Sequence, residues 1–249
     1  LLDTGVADNM PQDQMLSARL YTTEPEERIR QLIVLGMGGV RALRLLGISP
    51  LLWHASEDHT AFMMLERLRE ETEKGASFQE AIETVRASTV FTTHTPIPAG
   101  HNIFPVQLMD KYSANFWNSL GISRDAFLTL GQYDGLEPGK FSMTAFALRL
   151  TGQANAVSKL HGQVTRRMWQ ILWPEKHEGE IPITHVTNGV HLSTWQAPEI
   201  MGLCKKYLGE DLLAKQDDAE YWKCDIPDDK LWEVRQLLKT RLIRLIQDR

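Results

Sequence analysis

The sequence predicts an α/β protein built on a parallel sheet. Three observations carry that prediction. Short runs rich in β-branched and aromatic residues recur along the chain, as at residues 88–93. Between them lie segments with apolar residues at helical spacing. Capping residues, Gly and Pro mark the joins. Strands that alternate with helices give a parallel sheet with helices on both faces, a Rossmann-like arrangement.

In chain order, Thr23-Glu24-Pro25-Glu26 reads as a capping box with Pro in the first turn. Ile29, Leu32, Ile33, Met37, Val40 and Leu43 follow at helical spacing, and Gly47 ends that helix. Residues 49–53 are a short strand candidate. Phe62, Leu65 and Arg69 lie on a second helix that closes near Gly75. Ser77-Phe78-Gln79-Glu80 is another capping box, with Phe78, Ala81, Ile82 and Val85 on one face behind it. Residues 88–93 form a buried strand, and a loop with Pro96, Pro98, Gly100 and Pro105 follows. Helical patterns cover 108–120, 123–130 and 141–150, the last apolar almost all round. Residues 154–157 are a strand candidate. Ser158 caps a helix carrying Leu160, Val164, Met168 and Ile171 on one face. Residues 182–186 are the last strand candidate, and 197–208 and 228–249 are helical.

Composition narrows the function classes. A chain of 249 residues with 43% hydrophobic and 24% charged residues has an ordinary globular balance. A formal net charge of -5 argues against a generic nucleic-acid binder. The apolar runs are far too short for a membrane span, and no signal segment opens the chain. Cys204 and Cys224 make neither a disulfide framework nor a zinc site, which suits a reducing cytoplasm. The first residue is Leu1, and the last helical pattern runs to Arg249 without a stop signal. A piece of a longer polypeptide is therefore expected.

In open parallel sheets ligands bind in the loops after the strands' carboxyl ends. Three such loops carry polar residues. His54-Ala55-Ser56-Glu57-Asp58-His59 suits metal binding or acid–base work, and equally an acidic helix start. Thr92-Thr93-His94-Thr95-Pro96 puts a histidine at a strand end in a proline-stiffened loop. Thr187-Asn188-Gly189-Val190-His191, with Trp195 beyond, offers an amide that both donates and accepts. Gly36-Met37-Gly38-Gly39 fits no phosphate-loop pattern and reads as close helix packing. Lys159, His161, Arg166 and Arg167 read as a solvated basic face, with Lys159 and His161 near a strand end.

Five stretches together resemble one family, the α-glucan (glycogen, starch, maltodextrin) phosphorylases, in its shorter bacterial and archaeal branch. They are RLYTTEPEERIRQLIVLGMGGVRAL, WHASEDHTAFMMLERLRE, RASTVFTTHTPIPAGH, ANAVSKLHGQVTRRMW and PITHVTNGVHLSTW. The stretch Leu20-Tyr21-Thr22-Thr23-Glu24 departs from the pattern, lacking a Gly-Gly-Asp after Tyr.

The resemblance implies a two-domain GT-B glycosyltransferase architecture. Residues 1–249 would be a partial N-terminal, glucan-side domain, with the C-terminal pyridoxal-phosphate domain and its covalent lysine absent. The implied reaction is phosphorolysis of terminal α-1,4 bonds to α-glucose 1-phosphate, and the fragment alone would be inactive. His94 matches the histidine at the glucosyl O6, and Asn188 the asparagine sharing that contact. His59 and Glu57 match positions beneath the anomeric side, and Trp195 a tryptophan beside the cofactor. Implied partners are α-glucan or maltooligosaccharide, inorganic phosphate and the missing domain; a homodimer is compatible, while nucleic acid and membrane are not expected. Two rival readings stand beside this one: a metal-dependent hydrolase using His54, His59, His94 and His101, and a non-catalytic glucan-binding module.

Overall fold

The computed structural model describes residues 2–215, 218, 220, 223 and 226–248. Chain contacts divide it into two compact units, Leu1–Thr187 and Asn188–Arg249, each taken by itself below.

The first unit holds a four-stranded parallel sheet. Its strands are β1 (Trp53–Ser56), β2 (Thr89–Thr93), β5 (Gln153–Ala156) and β6 (Ile183–His185), in the order β1-β2-β5-β6. Register pairs Ala55 with Phe91, Phe91 with Ala154, and Ala154 with Ile183, so these four side chains share a face. That face is the core. Ala55 and Phe91 are fully buried there, in one cluster with Phe62, Leu65, Leu68 and Phe146. The α/β class and the parallel sheet agree with the sequence.

The second face is different. His54, Ser56, Gln153 and Thr184 alternate with the core positions and are exposed. Across this face runs a polar ladder. His54 Nε2 lies 2.7 Å from the Thr92 hydroxyl, which donates to Asn155 Oδ1 at 2.9 Å.

Several local readings hold. Ser77 and Glu80 form the reciprocal capping box before the Phe78–Ala87 helix, and Ser158 caps Lys159–Trp169. Pro25–Ile33 and Gly39–Leu45 are joined through a π-helical turn, Val34–Gly38. There Gly36 packs on the Phe62–Glu73 helix so tightly that a Cβ would sit 2.6 Å from the Met63 amide nitrogen. Of the glycine run, Gly36 is thus a close helix-packing site, while at Gly38 and Gly39 a Cβ would meet nothing nearer than 4.0 Å.

Other readings shift. Residues 49–53 are not a strand; β1 begins at Trp53, and Leu51 and Leu52 are exposed. Thr23 does not cap its helix. Glu24 occupies the cap without a side-chain bond, while the Thr22 hydroxyl accepts the Glu24 N–H at 3.3 Å and donates to Glu27 at 2.7 Å. Residues in the Pro/Gly loop form β3 (Ile103–Pro105), antiparallel to β4 (Lys140–Ser142). Met143–Arg149 then runs as the buried helix. On Lys159–Trp169 the buried positions are His161, Gly162, Thr165 and Trp169, and Leu160 is exposed.

The second unit contains the single turn Leu192–Trp195, the Pro198–Leu208 helix and the Asp228–Gln247 helix, where Glu199 pairs with Arg241. Cys204 is buried; Cys224 lies outside the described residues. Among the described residues no helix is long and apolar enough to cross a membrane.

Candidate active site

The site begins at the carboxyl ends of β1 and β2. β1 ends at Ser56, and Glu57 follows with φ 64° and ψ 168°. Among the described residues it is the one non-glycine with positive φ. Such a backbone costs about 1–3 kcal/mol and persists only where its surroundings fix it. Here the Glu57 amide donates to the Thr92 carbonyl at 2.8 Å, prolonging the ladder. The turn aims the carboxylate back across the end of β2. Oε1 accepts the backbone N–H of His94 and the Thr93 hydroxyl, the latter at 3.3 Å.

His94 follows β2 directly. Its ring is about half exposed, with side-chain exposure of 43%, and its Nδ1 lies 3.5 Å from Glu57 Oε1. The next residue is fixed as well. The Thr95 amide donates to Thr93 Oγ1 at 3.4 Å. The Thr95 carbonyl lies 3.2 Å from His161 Nε2. Backbone and carboxylate contacts therefore hold the turn while the His94 imidazole stays open to solvent. That arrangement suits a ring that must meet a small polar ligand without first paying to be ordered.

Asp58 and His59 part company with Glu57. Asp58 is buried, and its carboxylate accepts the Asn102 backbone amide at 2.7 Å and the Thr144 hydroxyl at 2.8 Å. Thr144 Oγ1 in turn lies 2.9 Å from His101 Nδ1. Because that hydroxyl donates to Asp58, it accepts the proton carried on His101 Nδ1. His101 packs edge-on against Trp169 with ring centroids 5.1 Å apart. Burial holds its pKa below the ordinary imidazole value, against the pull of Asp58. Asp58 and His101 thus tie the strand ends to the buried helix.

His59 is half-buried on the wall of a cavity of about 440 Å³, beside Leu16, Tyr21, Arg28 and Leu35. Burial lowers its pKa, and Asp58 opposes that shift.

The structure brings Glu57 and His94 together and sets His59 on the adjoining turn. Asn188 and Trp195 belong to the second unit. There Asn188 is exposed, Trp195 is 80% exposed, and His191 Nδ1 lies 2.7 Å from the Thr194 hydroxyl. The four histidines of the metal reading do not converge. His54 bonds Thr92, His101 is committed to Thr144, and among the described residues no group of three or more His, Cys, Asp or Glu could hold a metal ion. Asp58 was singled out in the sequence with Glu57, though not its inward turn to Asn102 and Thr144. Thr144 was not legible as part of this site, and for His161 only its position just after a strand end hinted at its role, since each acts through a contact distant in sequence.

A parallel α/β sheet with a polar, preorganised turn at its strand ends fits the glycosyltransferases of GT-B architecture. Comparison with known proteins narrows the class. No family model matches the chain. It is 43% identical over 249 residues to a maltodextrin phosphorylase of Thermococcus litoralis, an alignment covering 99% of this chain and 29% of that protein. It is 39% identical to a glycogen phosphorylase of Aquifex aeolicus, covering 100% of the chain and 36% of the relative. A glycogen phosphorylase of Mycobacterium tuberculosis is 38% identical, with 100% and 30% covered. The chain is a partial member of the maltodextrin/glycogen phosphorylase family. It spans about a third of the length of these curated relatives.

Proposed function

We propose that the complete protein phosphorolyses terminal α-1,4 bonds of glycogen or maltodextrin to α-glucose 1-phosphate, and that this chain supplies part of its glucosyl site. The observation that carries the reading is the His94 turn: an open imidazole on a backbone pinned by Glu57. In this reading the His94 ring donates to the glucosyl O6 and Asn188 shares that contact. Two contacts on one hydroxymethyl group fix the ring's rotation and present its anomeric carbon to phosphate. Contacts that tighten as positive charge develops at that carbon raise the rate more than uniform binding would. The resemblance assigns Glu57 and His59 beneath the anomeric side; in this structure Glu57 sets the turn and His59 faces the cavity beside Leu16 and Tyr21.

Phosphorylases generally depend on pyridoxal phosphate, and in this reading Trp195 lies beside that group. The residues of this chain do not fit its covalent seat. A lysine imine needs a sheltered amine, and none of the described lysines is buried. In this reading the lysine belongs to the C-terminal domain of the complete protein. The remaining partners are an α-glucan and inorganic phosphate, in the cytoplasm, in a protein compatible with a homodimer.

The test is direct. The complete protein, incubated with maltoheptaose or glycogen and inorganic phosphate, is expected to release glucose 1-phosphate. No release would overturn the reading, and maltooligosaccharide binding without release would favour a glucan-binding module.

A further inference from the structure

The helix Lys159–Trp169 reads in sequence as a basic solvated face, yet one member of it is buried. His161 is only 8% exposed and sits in the helix's first turn, just beyond the end of β5. Three contacts fix its ring and main chain. Its own amide donates to the capping Ser158 Oγ at 3.1 Å. Its Nδ1 accepts the Val157 backbone N–H at 3.4 Å. Its Nε2 faces the Thr95 carbonyl at 3.2 Å. A ring nitrogen that accepts an amide proton is itself unprotonated, so the proton of a neutral imidazole must lie on the other nitrogen. The Val157 amide therefore selects the tautomer in which Nε2–H donates to Thr95.

The elements on either side of this contact are closely packed. At Gly162 a Cβ would come within 3.2 Å of His185 Cβ, so the helix lies close on β6. At Gly100 a Cβ would lie 2.6 Å from Thr95 Cγ2, so the far side of Thr95 is closed as well. Thr95 is held between Gly100 and His161 by its side chain and by the carbonyl of its peptide to Pro96, while its amide, in the peptide from His94, donates to Thr93 Oγ1 at 3.4 Å.

We propose that His161 is a positioning residue for the glucosyl site: its Nε2–H fixes the Thr95 carbonyl and so sets the direction of the His94 peptide and ring. The proposal rests on the phosphorolytic reading for its effect on rate, and on geometry alone for its effect on the turn. It assigns to a buried helix residue the second anchor of a turn whose first anchor is the Glu57 carboxylate.

Two substitutions separate the halves of the ring. His161→Gln keeps a terminal N–H that reaches towards Thr95 and gives up the acceptor for Val157. His161→Asn keeps an acceptor near Val157 and cannot reach Thr95. Both are measured in the complete protein by kcat, by KM for phosphate and by thermal midpoint. His161→Asn is expected to lower kcat about 30-fold with KM for phosphate unchanged, and His161→Gln to stay within about threefold of wild type. Equal kcat values for the two variants at comparable thermal midpoints would overturn the proposal, because a merely structural histidine would not distinguish them. If wild type releases no glucose 1-phosphate, the functional reading falls and crystal structures of the two variants still decide the positioning role. A His94 turn displaced in His161→Asn and retained in His161→Gln supports it; an undisplaced turn in both overturns it.

Discussion

Two loops leave parallel strands at their carboxyl ends, and they are built in opposite ways. The turn after β2 has its polar backbone groups engaged: His94 N–H by Glu57, Thr95 N–H by Thr93, and the Thr95 carbonyl by His161. The segment that follows β6 and opens the second unit is exposed at Asn188, Gly189, Val190, His191 and Trp195. The first loop takes its geometry from its own chain, through contacts from β1 and from the helix after β5. The second carries its proposed site residues in solvent. The contacts that fix the His94 turn come from distant elements, whereas contacts of the second loop, such as His191 with Thr194, are local.

The same contrast appears within three residues. Glu57, Asp58 and His59 are neighbours in sequence and serve different ends. Glu57 bends back to the His94 turn at the cost of a left-handed backbone. Asp58 turns inward to Asn102 and Thr144. His59 faces a cavity walled by the N-terminal segment.

Breaking the pinned side should have the largest consequence. Asp58→Ala removes the acceptor of the half-buried Asn102 amide and leaves the buried Thr144 hydroxyl with His101 alone. It is expected to destabilise the protein by about 4 kcal/mol in denaturant titration. A loss near zero would mean that the strand-end turn does not depend on this network. Next, His94→Ala in the complete protein should lower kcat/KM for phosphorolysis by about 2–4 kcal/mol of transition-state stabilisation, with folding little changed. An unaltered kcat/KM removes His94 from the site.

A smaller effect follows from acid. Burial holds His101 and His59 below the usual imidazole value of 6.5. Between the folded and unfolded values the unfolded chain binds more protons, so stability falls as pH drops. The contribution is complete above pH 6.5 and is lost as pH falls through the depressed folded values. His101 feels Asp58, Glu57 and His161 in this range. Thermal midpoints measured downwards from neutral pH should decline, and less steeply in His101→Gln. A flat profile in the wild type would contradict the burial argument. The smallest effect belongs to the open side. Trp195→Ala should change stability by no more than about 0.5 kcal/mol, since the ring is 80% exposed. A clear destabilisation would show that the second loop is as firmly packed as the first.

Legibility followed the range of the interaction. The Ser77 box and the Ser158 cap are set by residues within one turn, and both formed as read. Glu24 took the place assigned to Thr23 because Thr22 offered a competing local bond. β3 and β4 were invisible as strands because each is three residues long and pairs across the whole segment between them. Leu160 is exposed because its helix lies on β6 through the side carrying His161, Gly162, Thr165 and Trp169, which the apolar spacing could not reveal.

The sequence by itself determined the α/β class, three of the four parallel strands to within a residue, the glycine packing site and the family. These depend on local periodicity, capping chemistry and residue identity along the chain. Only the tertiary structure decided which face of the sheet carries the core and which of two adjacent carboxylates is buried. It also decided that His161 reaches Thr95, 66 residues away in sequence. Those outcomes hang on strand order and register, which place distant side chains within a few ångströms. His94 could be singled out from its strand end alone, whereas the contacts that hold it in place could not.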